Sequence, residues 1–97
     1  MSELKLEDQE FLCVFSKHMG TNECKEIESD FEAGLAGKPF TIIFDLKEVE
    51  YISSTFLRFC IRAAKSVEQG KFSVINVKPD IKKIFKMAGV DSILNIS

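Results

Sequence analysis

The residues best suited to chemistry in this chain are three consecutive hydroxyls, Ser53-Ser54-Thr55, with Asp45 a short way upstream. Two readings apply to them. A serine at a helix start accepts a hydrogen bond from an orphan backbone amide, which is worth about 1 kcal/mol. One cap needs only one hydroxyl, so a second reading is a phosphoacceptor. A phosphate there would carry about −1.5 to −2 charges, and a helix N-terminus holds such a charge favourably. The domain could stay folded while a partner met a new anionic group.

Other reactive residue types are sparse. Three cysteines, Cys13, Cys24 and Cys60, form an odd set without C-x-x-C spacing, each among apolar neighbours. Such thiols act as small hydrophobes and indicate a reducing, cytoplasmic setting. His18 with Cys13 or Cys24 invites a catalytic pair or a metal site, but no third ligand or orienting group accompanies them. The sequence therefore predicts no catalytic residue, no metal and no cofactor, and it holds no glycine-rich phosphate loop. Arg58, Arg62, Lys65, Lys82, Lys83 and Lys86 form a basic set that reads as a solvated face, with an acidic partner as the alternative.

The elements that must position these residues follow from patterning. Leu4 and Leu6 alternate with charged residues, and Phe11–Phe15 is apolar beyond Asp8-Gln9, which predicts two strands joined by a tight turn. Cys24, Ile27, Phe31 and Leu35 recur at helical steps, with acids between them and Gly37-Lys38-Pro39 as the stop. Phe40–Phe44 reads as a strand covered on both faces. Val49, Tyr51 and Ile52 are expected to turn inward along the connection that follows. A second helix starts at Ser53 or Ser54 and ends at Gly70. Phe56, Phe59, Cys60, Ala63, Ala64 and Val67 make its buried stripe, widened by Leu57 and Ile61. Phe72–Val77 is a strand, and Pro79-Asp80 opens a third helix that buries Ile81, Ile84, Phe85 and Ala88 before a Gly89-Val90 cap. Ser92–Ser97 reads equally as an edge strand or a tail.

The order β-β-α-β-α-β-α predicts an α/β fold with a mixed, mostly parallel sheet, residues 1–97 forming a single domain. In such sheets, sites form beyond the carboxyl ends of strands, here Lys17–Asn22 and Asp45–Thr55. At 97 residues, 45% hydrophobic and with nine Phe, the chain is large enough for one core. The net charge of −2 argues against nucleic acid. The short apolar runs argue against membrane insertion, and the acidic, alternating Met1–Glu7 does not read as a signal peptide.

Two segments carry a family resemblance. Asp45-Leu46-Lys47-Glu48-Val49-Glu50-Tyr51-Ile52-Ser53-Ser54-Thr55-Phe56-Leu57 resembles the D-L-x-x-V-x-x-I-D-S-S-G-L signature of STAS domains, the bacterial anti-sigma factor antagonist family. Ile81–Val90 is similar to that family's closing helix, which ends in a small residue, Gly and an apolar residue. Thr21 fits the start of the family's first helix, so the resemblance covers nearly the whole chain. It implies a non-enzymatic module that docks on an anti-sigma factor, a serine kinase of ATPase fold, and so frees a sigma factor. It also implies phosphorylation of the first serine after the motif's aspartate, which blocks rebinding until a phosphatase reverses it. By position that serine is Ser54, with Thr55 beside it, and the partner-binding candidates are Asp45, Ser53, Phe56, Arg58 and His18.

Three positions depart from the family pattern. Ser53 stands at the motif's aspartate and Phe56 at its glycine, while His18 lies at or near an acidic position before the first helix. Phe56 is then either a partner-facing aromatic anchor or a core residue. The alternative function is a non-phosphorylated STAS-like subunit or adaptor of a transport complex for lipids or anions. A third, an enzyme with Ser54 or a cysteine as nucleophile, lacks any base–orienter set.

Overall fold

The computed structural model describes residues 2–97. Met1, the first residue of the alternating N-terminal stretch, lies outside them. Strands β1 (Glu3–Glu7) and β2 (Glu10–Val14) pair antiparallel through a two-residue turn. Asp8 and Gln9 both take positive φ, 52° and 67°, which matches the right-handed twist of a tight hairpin. After β3 (His18–Met19), helix α1 (Thr21–Ala36) crosses to β4 (Thr41–Asp45), which lies parallel to β2. After β5 (Tyr51–Ile52), helix α2 (Ser54–Lys65) crosses to β6 (Phe72–Ile75), parallel to β4. Helices α3 (Pro79–Met87) and α4 (Asp91–Leu94) close the chain. The main sheet has the order β1-β2-β4-β6, and β3 and β5 form a separate two-stranded ladder.

The expected mixed, mostly parallel α/β fold is therefore present, with the short ladder and α4 as additions. Burial along β2, β4 and β6 alternates strictly: Phe11, Cys13, Ile42, Phe44, Phe72 and Val74 are buried, and the residues between them are at most half-buried. The expectation that β4 is covered on both faces is corrected. Thr41, Ile43 and Asp45 share the less buried face with Leu12, Val14, Ser73 and Ile75.

Phenylalanines join the covered face to the helices. Phe44 meets the rings of Phe15, Phe72, Phe31 and Phe56, with centroids 4.8, 5.0, 6.1 and 6.2 Å away. Phe59 of α2 stands edge-on to Phe31 of α1 at 4.9 Å. Such edge-to-face pairs add about 0.5–1.5 kcal/mol beyond their buried area. Gly34 lets α1 approach the sheet, because a methyl group there would overlap the Phe11 ring.

Helix α2 stops at Lys65, short of the expected Gly70, and the chain turns through Ser66–Gly70. The α3 cap is as expected: Gly89 has φ 74°, Val90 N–H donates to Phe85 O at 3.2 Å and Gly89 N–H to Lys86 O at 3.0 Å. Ile84 and Ala88 do not face inward; Ile84 is 38% exposed, because the short α3 presents only the Ile81–Phe85 edge to the core. Ser92–Ser97 supplies both a helical turn and a parallel bridge from Ile96 to Val74.

Candidate functional site

The site is assembled beyond the carboxyl ends of β2 and β4. The chain leaves these strands, and β3 and β5 then pair in parallel, His18 opposite Tyr51 and Met19 opposite Ile52. Each short strand runs directly into a helix, so the ladder holds the starts of α1 and α2 side by side. The two helices touch there through hydroxyls, Thr21 Oγ1 and Thr55 Oγ1 lying 3.1 Å apart. The period of two that governs a strand also sorts this ladder. Met19 and Ile52 point into the core, while His18 and Tyr51 face out and stack, with centroids 4.5 Å apart and planes 13° from parallel. Tyr51, expected inward, is 48% exposed.

The three hydroxyls have separate positions. Ser53 is the N-cap of α2 in extended conformation. Its Oγ accepts from Phe56 N–H at 3.3 Å and donates to Met19 O at 3.0 Å, and its own N–H reaches the same carbonyl at 3.0 Å. Ser53 thus ties α2 to the ladder and is committed to structure. Thr55 is half-buried and tied to Thr21. Ser54 is exposed, at the first helical position, and its hydroxyl makes no hydrogen bond to another described residue.

Phe56 is fully buried, at 0% exposure, edge-on to Phe15 at 4.9 Å. Its candidacy as a partner-facing anchor is therefore corrected: the ring fills the core beneath the first turn of α2. Asp45 Oδ1 accepts from Lys47 N–H at 3.0 Å and from Asn76 Nδ2 at 3.2 Å, tying together the loops that leave β4 and β6. Arg58 is exposed one helical turn after Ser54, at a groove between α1 and α2. The ladder and the Ser54–Thr55 turn lie beyond the carboxyl ends of the parallel strands and Asp45 lies at the end of β4, while Arg58 sits further along the outer face of α2.

The start of α2 differs in charge from the other helix starts. Helix α1 has Glu23 in its first turn, α3 has Asp80 and α4 has Asp91, whereas α2 has no acid there. Its positive end is left without a counter-charge of its own. Nearby, Glu50 is engaged by Lys17 at 3.7 Å and Lys78 at 3.5 Å, exposed pairs worth little on their own.

Thiol chemistry is suppressed. Burial raises the Cys24 thiol from an ordinary 9.0 to about 11; Ser53 partly offsets the rise and Glu23 adds to it. Burial pushes the Cys13 and Cys60 thiols up as well, so all three stay protonated at neutral pH. Among the described residues no group of three His, Cys, Asp or Glu side chains is arranged to hold a metal ion, and no helix is long and apolar enough to cross a membrane.

Sequence reasoning missed three contributors: Tyr51, the Thr21–Thr55 contact and Asn76. The alternation of Glu50-Tyr51-Ile52 held a usable signal for the first. The other two are contacts between residues 34 and 31 positions apart, with no local signature.

Comparison with known proteins identifies the family and the fold. The family model described as the STAS domain matches residues 12–97. Over 75 residues, 75% of this chain, it is 27% identical to the Bordetella bronchiseptica protein BtrV, assigned as an anti-sigma factor antagonist; the match spans 65% of that relative's length. Among solved structures, a STAS domain protein from Planctomyces limnophilus superposes with a TM-score of 0.83 over 99% of this chain and 87% of its own, at 22% identity. The Bacillus cell fate determinant SpoIIAA in its phosphorylated form does so with a TM-score of 0.72 over 100% and 91%, at 12% identity.

Proposed function

The chain belongs to the STAS domain family, and from that premise we propose that it is a non-enzymatic partner-switching module of the anti-sigma factor antagonist type. Its partner is an anti-sigma factor of the ATPase-fold serine kinase class, met in the cytoplasm on the face formed by the β3–β5 ladder and the start of α2. A phosphate on Ser54 ends the association, and a phosphatase restores it.

One observation carries this reading: among the described residues, Ser54 alone of the three hydroxyls is exposed and uncommitted, at the one helix start whose first turn holds no acid. A kinase needs an accessible oxygen, and the product dianion needs a positive environment. Ser53 and Phe56, which depart from the family pattern, are absorbed by the fold as cap and core. The exposed His18–Tyr51 stack beside Ser54 offers rigid aromatic area for a partner, and a phosphate at Ser54 would add bulk and charge at its edge.

The test is a phosphorylation and capture assay with the ATPase-fold serine kinases of the same genome. The expected result is ATP-dependent label on Ser54, located by mass spectrometry and absent from Ser54→Ala. Ser54→Asp should lower partner recovery about tenfold. Equal recovery of wild type, Ser54→Ala and Ser54→Asp would refute the charge switch, and absence of both label and binding would refute the partner class.

A further inference from the structure

The outer face of α1 and α2 holds a second feature, separate from the hydroxyl turn. A groove of about 630 Å³ runs between the two helices, lined by Lys25, Arg58, Arg62 and Lys65 against one acid, Glu28, with half-buried Ile61 and the nearly buried edge of Phe59 between them. Arg62 belongs to its wall, its guanidinium 3.4 Å from Glu32 and 5.3 and 5.1 Å from the ring centres of Phe31 and Phe59. Lys25, Arg58 and Lys65 make no ion pair with any described residue. Three cations without an ion pair thus line one groove with a single, likewise unpaired acid, an excess of positive charge on a chain whose net charge is −2. The six basic residues that look alike in sequence separate in space: Arg58, Arg62 and Lys65 join Lys25 here, while Lys82, Lys83 and Lys86 lie on α3 and do not line it.

We propose that this groove docks an acidic amphipathic helix of a partner protein. The valley between α1 and α2 presents a surface on which a third helix seats, its apolar edge on Ile61 and the aliphatic stems of the basic side chains and its carboxylates on the flanking cations. Charge complementarity selects an acidic occupant over a basic or neutral one. Arg62, its charge met by Glu32 and its guanidinium laid over two rings, supplies a preorganised wall, while Lys25, Arg58 and Lys65 supply the free charge. The groove begins at Thr55, so an occupant could extend from the face around Ser54, yet this docking does not depend on phosphate at Ser54.

The test uses a fluorescein-labelled peptide of about 18 residues, with leucines at helical i, i+3, i+4 and i+7 positions and glutamates on the flanks, followed by anisotropy. The expected result is saturable binding that weakens at least about tenfold in Arg58→Glu/Lys65→Glu and with added salt, and is unchanged in Lys82→Glu/Lys86→Glu. Backbone amide shifts in the unmutated protein should map to α1 and α2, which makes the assignment independent of how well the variants fold. Equal weakening by the α3 pair would overturn the proposal, as would undiminished binding of a peptide with glutamine for glutamate or shifts mapping elsewhere. Tighter binding of a single-stranded oligonucleotide of the same charge would overturn it in favour of a nucleic-acid site.

Discussion

Helices α2 and α3 each follow a strand paired in parallel, β5 of the short ladder and β6 of the main sheet, yet they begin in opposite ways. At α3, Pro79 and Asp80 occupy the first turn, the N-cap Lys78 contributes no side-chain hydrogen bond, and the positive helix end meets the chain's own carboxylate. At α2, Ser53 caps with its side chain, Phe56 anchors the turn in the core, and no acid is present. The first helix end is electrostatically complete and the second is open. A single turn of α2 thus divides into a structural part, Ser53 and Phe56, and a free part, Ser54. That division allows charge to be added at Ser54 with little cost to folding.

Phe56→Ala should have the largest effect on this contrast. Removing a fully buried ring should lower stability by about 3–5 kcal/mol in urea unfolding. A loss below about 1 kcal/mol would mean that the start of α2 is not anchored as described. Ser54→Asp comes next, with about a tenfold loss of partner recovery and no loss of stability. If its unfolding midpoint fell as far as that of Phe56→Ala, the division within the turn would be wrong.

Ser53→Ala should cost about 1 kcal/mol, since a cap and a tie to Met19 O are lost together. The helix-end comparison itself is tested by two small changes of opposite sign. Ser54→Asp should stabilise by about 0.3–1 kcal/mol where Asp80→Asn should destabilise by a similar amount, and both effects should shrink in high salt. Matching signs would break the contrast. The smallest effect at neutral pH comes from the thiols beneath. Cys24 has a folded pKa of about 11, raised from 9.0, so its contribution is complete below pH 9 and is lost as pH rises through 11. Stability measured from pH 7 upward should be flat and then fall on the alkaline side, and Cys24→Ala should reduce the fall.

Much of the fold was legible in the residues. The Asp8-Gln9 turn, the stripes of α1 and α2, and the Gly89-Val90 cap all come from local chemistry: turn preference, helical period and left-handed capping. Phe40–Phe44 was legible as a strand but not as one with an open face, because an apolar run looks the same in either case. Tyr51 was misplaced for a related reason. Its orientation depends on the β3–β5 ladder, and a two-residue pairing between distant segments has no periodicity to read.

The candidate site divides along the same line. Its place at Ser53-Ser54-Thr55 follows from hydroxyls at a helix start, and the motif match singled out Ser54. The hydrogen bonds that separate the three hydroxyls come from Met19 and Thr21, which only the folded ladder brings near, and the burial of Phe56 comes from Phe15 and Phe44. The basic residues follow the same rule, since chain position made them one set and packing of α1 against α2 divided them. Local preference acts through the backbone of a few neighbouring residues and can be read along the chain. Exposure and pairing depend on which distant segments share a space, and for Ser54, Phe56 and Arg58 the tertiary structure decided them.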